Sequence, residues 1–133
     1  MATATSRDPS RVEPFTLSFP VPVLTADTID AFISQPRRVA VWFFAAWGAT
    51  DRMTKHLLAA LPEEQRSVAA LAAFDLDTAF GPDSIAHRFG ILSVTTFVFF
   101  EHGAELRRHS GMQSARQLAD WLAELSIPND RSA

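Results

Sequence analysis

The chain has 133 residues, enough for one domain with tails, and 47% of them are apolar, ample for a buried core. A net charge of -3 gives no sign of nucleic-acid binding, and the absence of cysteine excludes disulfides, thiolate zinc sites and cysteine-based catalysis. Eleven Phe and three Trp with no Tyr mean that the aromatic side chains mostly lack a polar handle, which favours burial.

Residues 1–14 are small, polar and charged, without the apolar core of a signal peptide. They read as a flexible tail, and a cytoplasmic location is the expectation. Residues 15–23 alternate apolar and polar, as a strand does. Pro20 and Pro22 remove backbone donors and place that strand at an edge. Thr25 is suited to cap a short helix carrying Ile29, Phe32 and Ile33, which Pro36 stops. Residues 39–47 are a continuous apolar run, rich in aromatic and β-branched residues and too short to span a bilayer, so no membrane insertion is expected. The run predicts a central strand buried on both faces. Gly48 breaks it. Thr50 is the expected cap of the next helix, with Asp51 in its first turn and Met53, Leu57, Leu58 and Leu61 as its buried stripe. Asp51 and Lys55 form an i,i+4 pair. Pro62 is expected to end that helix.

Residues 68–76 are assigned to a strand, because the β-α-β order needs a parallel partner here. Gly81-Pro82-Asp83 signals a helix start before Ile85, Ala86 and Phe89, and Gly90 supplies a left-handed cap. Residues 94–100 read as a strand, Glu101-His102-Gly103 as a hairpin turn, and 104–109 as the returning strand. A last helix over 113–125 carries Leu118, Trp121, Leu122 and Leu125 on one face. Residues 126–133 read as a second tail around a domain over 15–125.

Val-Trp-Phe-Phe-Ala-Ala-Trp at 41–47, followed by a turn and the Met53-bearing helix, resembles the thioredoxin active-site segment. Asp75-Leu76-Asp77, Arg88-Phe89-Gly90-Ile91, the hairpin from Thr96 to Gly103 and Ser110-Gly111-Met112 match further pieces of that family in register. The resemblance implies an α/β thioredoxin-like fold, a central mixed sheet flanked by helices on both faces. It also shows what is missing. Gly48 and Asp51 stand where the family has its two thiols, Trp42 where it has a buried acid, Ala73 where it has that acid's lysine, and Thr95 where it has a cis-proline. A cis bond before a non-proline residue costs roughly 2.5–4 kcal/mol, so the Val94–Thr95 peptide is expected to be trans.

No other constellation offers a strong site. Asp75, Asp77 and Asp83 are spaced as a strand end and a helix start rather than as a cation loop. His56, His87, His102 and His109 read as solvated surface residues. Arg107, Arg108 and His109, with Arg88 and Arg116, read as the charge that guards an edge strand. No nucleophile-elbow pattern appears. The expectation is therefore no catalytic residue, no metal and no cofactor. The resemblance instead points to a vestigial groove of Trp47, Gly48, Ala49, Thr50, Asp51, Val94, Thr95, Gly111 and Met112, which would take a protein or peptide partner by strand-like pairing.

Fold, length, lost cysteines and Arg88-Phe89-Gly90 also resemble bacterial hydrogenase-maturation proteins, thioredoxin-related chaperones that bind the twin-arginine signal peptide of the hydrogenase small subunit. Thr95 departs from that group, which often keeps a proline there. That resemblance implies that acids such as Asp51, Glu63, Glu64 and Asp83 face a basic peptide. The contrasting readings are a structural or regulatory subunit that docks on a larger enzyme through a helix face or the open sheet edge, which a homodimer burying the groove would favour, and an enzyme of non-thiol type.

Overall fold

The computed structural model describes residues 19–45, 48–68, 70–78, 84–93 and 95–126. Strands β1 (Val23–Leu24), β2 (Arg38–Phe44), β3 (Leu71–Asp75), β4 (Thr96–Glu101) and β5 (Ala104–Ser110) form one sheet in the order β1-β3-β2-β4-β5. β3 runs parallel to both β1 and β2, while β4 is antiparallel to β2 and to β5. The helices are α1 (Ile29–Ile33), α2 (Ala49–Ala59), α3 (Glu63–Val68), α4 (Ile85–Arg88) and α5 (Ala115–Ser126).

β2 lies at the centre because both of its faces are apolar. Val39, Val41 and Phe43 join Ile29 and Ile33 of α1, Ile85 of α4, and Val98 and Phe100 in one core. Ala40, Trp42 and Phe44 join Leu58 of α2, Phe97 and Phe99, and Leu118, Trp121, Leu122 and Leu125 of α5 in the other. The strand's period of two thus divides the run between two cores, which makes it continuous in sequence. The run ends as a strand at Phe44; Ala46 and Trp47 lie outside the described residues.

Several expectations need correction. The first strand is at the edge as expected, but its ladder forms at Val23–Leu24, beyond the prolines that lack an N–H. Pro22 still accepts the Ala73 N–H at 2.8 Å, and residues 15–18 lie outside the described residues, as do both tails except for Ser126, the last residue of α5. Thr28, not Thr25, precedes α1; Thr25 closes the turn before it, its carbonyl accepting from Thr28 and Ile29 N–H.

Pro62 does not simply end a helix, for α3 begins just after it. Its carbonyl accepts the Arg66 N–H at 3.2 Å, and Glu63 and Glu64 fill the first turn, where a missing N–H is harmless and acids are favoured. α3 takes Val68 and a single 3-10 turn over Leu76–Thr78 takes the other end, so the next strand is Leu71–Asp75 rather than 68–76.

Ser84 caps α4 by accepting the His87 N–H at 3.1 Å; the expected start at residues 81–83 lies outside the described residues. Gly90 does adopt the left-handed conformation (φ 64), with Ile91 N–H reaching back to Ala86 O at 2.8 Å. His102 and Gly103 both have positive φ (54 and 85), the two-residue turn whose twist suits a hairpin. Gly103 N–H also donates to Ile33 O at 2.8 Å, which fastens this end of the sheet to α1.

On the other face, Glu124 of α5 pairs with Arg38 at 3.0 Å and Arg107 at 2.9 Å, while Arg37 donates to Leu125 O at 2.6 Å. Arg88 pairs with Asp30, and Arg108 with Glu105 at 2.7 Å, so three of the arginines read as a basic edge are each matched by an acid.

His109 departs from the surface reading. Its ring stacks on Trp121, with centroids 4.9 Å apart, and its Nε2 is buried without a hydrogen-bond partner among the described residues. An unpaired buried nitrogen destabilises the fold, so His109→Phe is expected to raise stability by about 0.5–1.5 kcal/mol in urea denaturation.

Candidate functional site

The carboxyl ends of parallel β2 and β3, the first turn of α2, the start of β4 and the end of β5 meet at one end of the sheet. The region outside the carboxyl ends of parallel strands is where open α/β sheets take ligands.

α2 enters this rim in an unexpected register. Its cap is Gly48, in extended conformation, rather than Thr50, and its buried side chains are Asp51, Thr54 and Leu58. The spacing is helical, but the stripe is rotated toward polar residues. Met53, expected inside, is exposed (48%), and Leu57 and Leu61 are only partly buried. Thr54 satisfies its hydroxyl by donating to Thr50 O at 2.9 Å.

Asp51 is fully buried. Its Oδ1 accepts the Trp42 indole N–H at 3.0 Å and the Thr95 hydroxyl, and its Oδ2 accepts the Ala45 N–H at 2.8 Å. Burial pushes the carboxyl above the ordinary carboxylate range; the bonds from Thr95, Ala45 and Trp42 oppose that shift, and the charge of Asp77 adds to it. Asp75, at the end of β3, is likewise raised by burial, and its Oδ1 accepts the Asp77 N–H at 2.9 Å.

The surface helix pair expected of Asp51 is therefore wrong: the carboxylate turns inward, and Lys55 Nζ instead stands 5.5 Å from the Phe19 ring centroid. Trp42 is held from both sides, stacked on Phe19 at 5.3 Å and on Phe97 at 6.0 Å between centroids. A buried indole N–H needs an acceptor, and Asp51 provides it.

Thr95 is also fully buried, and its carbonyl accepts the Gly111 N–H at 2.8 Å. Gly111 has φ 92, a conformation only glycine enters readily, and it leads to Met112, which is 51% exposed. Gln113 donates to Gly111 O at 3.1 Å. The structure thus joins Asp51 of the Gly48-to-Asp51 segment to Thr95, and Thr95 to Gly111 and Met112. Trp47 and Val94 lie outside the described residues, and with them the Val94–Thr95 peptide.

Gly48 and Asp51 are buried, Ala49 is exposed and Thr50 half-buried. The sequence reading missed Leu92, three residues before Thr95, which is 96% exposed. No periodic stripe marks it, and only its place in the loop between Gly90 and Thr95 could have singled it out. Among the described residues, no group of three or more His, Asp or Glu gathers as metal ligands, and no helix is long and apolar enough to cross a membrane.

The thioredoxin family model matches residues 20–124. The chain belongs to the thioredoxin family. It is 28% identical over 102 residues to thioredoxin from Alicyclobacillus acidocaldarius, covering 77% of this chain and 94% of that one. It is 29% identical over 97 residues to the bifunctional thioredoxin reductase/thioredoxin of Mycobacterium leprae, covering 73% of this chain but only 20% of that protein.

Among solved structures, a mutant thioredoxin from Halobacterium salinarum NRC-1 superposes with a TM-score of 0.62 at 24% identity, covering 89% of this chain and 97% of that one. Thioredoxin from Malassezia sympodialis gives 0.61 at 21% identity, with 80% and 91% covered. These two likenesses carry the fold alone. In this thioredoxin-family chain the fold has been kept and cysteine is absent.

Proposed function

We propose that this is a redox-inactive, non-catalytic member of its family that binds a protein or peptide partner along the rim. One observation carries the reading. Where the resemblance places two thiols, the chain has Gly48 and an Asp51 whose two oxygens are occupied by three buried donors. No reactive group is left at that place, yet the exposed apolar side chains of Leu92, Met112 and Met53 stand on the segments that meet there. Exposed apolar residues beside backbone at a strand end suit capture of an extended chain.

In its narrower form, the reading is a cytoplasmic assembly chaperone for a hydrogenase small-subunit precursor, with the twin-arginine signal peptide as ligand. Asp51 takes no part in meeting those arginines, because it is buried. Glu63 and Glu64 follow the far end of α2, which at 1.5 Å per residue lies roughly 16 Å from its first turn. Among the described residues, the acids at the rim that are not fully buried are Asp75 and Asp77, so binding of the signal peptide is expected to weaken with salt.

The test is titration of a synthetic twin-arginine signal peptide and, in parallel, of a carboxymethylated unfolded protein. Met112→Ala and Trp47→Ala are each expected to weaken binding about ten-fold, as anchor truncations do. Unchanged affinity in both would remove the rim from the reading. Insulin reduction is expected to show no turnover, and dithiol-dependent turnover would overturn redox inactivity. A stable homodimer that covers the rim would turn the reading toward a structural subunit.

A further inference from the structure

Trp42, Asp51 and Thr95 come from three separate segments, and each is fully buried. The carboxylate is their common acceptor, and it also holds Ala45 N–H at the end of β2. From Thr95 the connection continues by one backbone bond to Gly111 and so to Met112. Asp51 itself offers nothing to a ligand, since it is enclosed. It is built as a joint.

We propose that Asp51 is the positioning residue of the rim: its carboxylate ties the first turn of α2 to the Thr95–Gly111 junction, so that order at Gly111 and Met112 follows the ionisation of a side chain no partner touches. This extends the docking reading by saying what holds the docking surface in shape.

The charged group Asp51 senses is Asp77, in the turn after β3. β2 brings Trp42 and Ala45, and the start of β4 brings Thr95, none of them charged. On α2 itself, Arg52 is exposed and Lys55 lies over Phe19. α5 packs beside α2, but its Glu124 is engaged with Arg38 at the opposite end of β2, and its Arg116 and Asp120 are exposed. The carboxylate's ionisation is therefore governed by burial, three neutral donors and one neighbouring acid.

The experiment needs no partner, so it can fail independently of the docking reading. The Trp42 indole proton reports Asp51 ionisation by NMR, and amide exchange at Gly111, corrected for intrinsic rates, reports the rim. Gly103 N–H, bonded to Ile33 O at the other end of the sheet, is the internal control. In the unmodified protein, Gly111 protection is expected to change with pH in step with the indole shift, while Gly103 does not.

Asp51→Asn should abolish both pH responses and lower Gly111 protection about ten-fold relative to Gly103, the loss of roughly one buried hydrogen bond. Thr95→Val, which keeps shape but removes the donor, should leave the indole titrating while Gly111 no longer follows. Gly111 protection that is flat with pH while the indole titrates, or that falls no further than Gly103 in Thr95→Val, overturns the proposal. Should Asp51→Asn not fold, the unmodified protein and Thr95→Val decide it.

Discussion

Alanine at position 51 is expected to lower the unfolding free energy by about 3 kcal/mol, although it removes an ionisable group from the interior. The carboxylate costs free energy to bury, and relief of that cost favours the variant. Three donors are nevertheless left behind: the Trp42 indole N–H, the Ala45 N–H and the Thr95 hydroxyl. Each buried orphan costs about 1–3 kcal/mol, and the stacking of Trp42 between Phe19 and Phe97 prevents its indole from turning to another acceptor.

The pH dependence tests the same account. The folded state raises the Asp51 carboxyl above its unfolded value and therefore binds its proton more tightly. The group's contribution is full below the unfolded carboxylate range, falls as pH rises through the folded value, and is flat beyond. The penalty of Asp51→Ala should thus be larger in acid than at neutral pH. Asp30, Glu105 and Glu124 act oppositely, since their carboxyls are lowered and their contribution is lost as pH falls, but they are common to both proteins and cancel in the difference.

Urea denaturation of the two proteins across that range gives the comparison directly. Replacing the three side chains together, Trp42→Phe with Asp51→Leu and Thr95→Val, should recover most of the loss, because partners removed together leave only the Ala45 N–H unsatisfied. A penalty below 1 kcal/mol for Asp51→Ala would mean that the three bonds contribute little.

The parts of this fold legible in the sequence are those where one segment decides the outcome by itself. The apolar run that begins at Val39 could only be a strand covered on both sides, and it is one as far as Phe44. Leu118, Trp121, Leu122 and Leu125 repeat at the spacing that buries one helix face, and they are buried. Gly90 and the His102-Gly103 turn carry residue types that positive φ selects.

Pro62 was ambiguous, because a proline stops the helix before it and starts the one after it with equal ease; Glu63 and Glu64 were the sign of the second role. Asp51 was misjudged because its partners lie 6, 9 and 44 positions away, beyond any local rule. The clues were indirect. Asp51, Thr54 and Leu58 share a helix face, and Trp42 in a buried strand needed an acceptor that Ala73, its neighbour on β3, does not have. The acid the family motif led one to seek on β2 is absent there, and a different acid reaches β2 from the helix.

Trp121→Ala is expected to cost about 3–5 kcal/mol, the range for removing a large aromatic side chain from a core that cannot close around the gap. Trp121 is 8% exposed and lies against Phe97 at 5.1 Å, Phe99 at 5.3 Å and His109 at 4.9 Å between ring centroids. Those three rings are fixed on the hydrogen-bonded pair β4 and β5, so the sheet cannot move in to fill the space. Trp121→Phe keeps a ring in the gap and should cost less than half as much.

The loss should appear as a lower urea midpoint at unchanged slope, and as a melting temperature lower by roughly 10–20 °C for a domain of this size. It reaches the rim as well, because α5 follows directly from Met112 and Gln113 and its seating fixes where they emerge. A double-mutant cycle separates the packing from the unpaired nitrogen: the gain expected from His109→Phe depends on the Trp121 face, so it should largely vanish in the Trp121→Ala background, a coupling of about 1 kcal/mol. Additivity of the two changes would show that His109 and Trp121 touch without sharing energy, leaving Phe97 and Phe99 as the rings that seat Trp121.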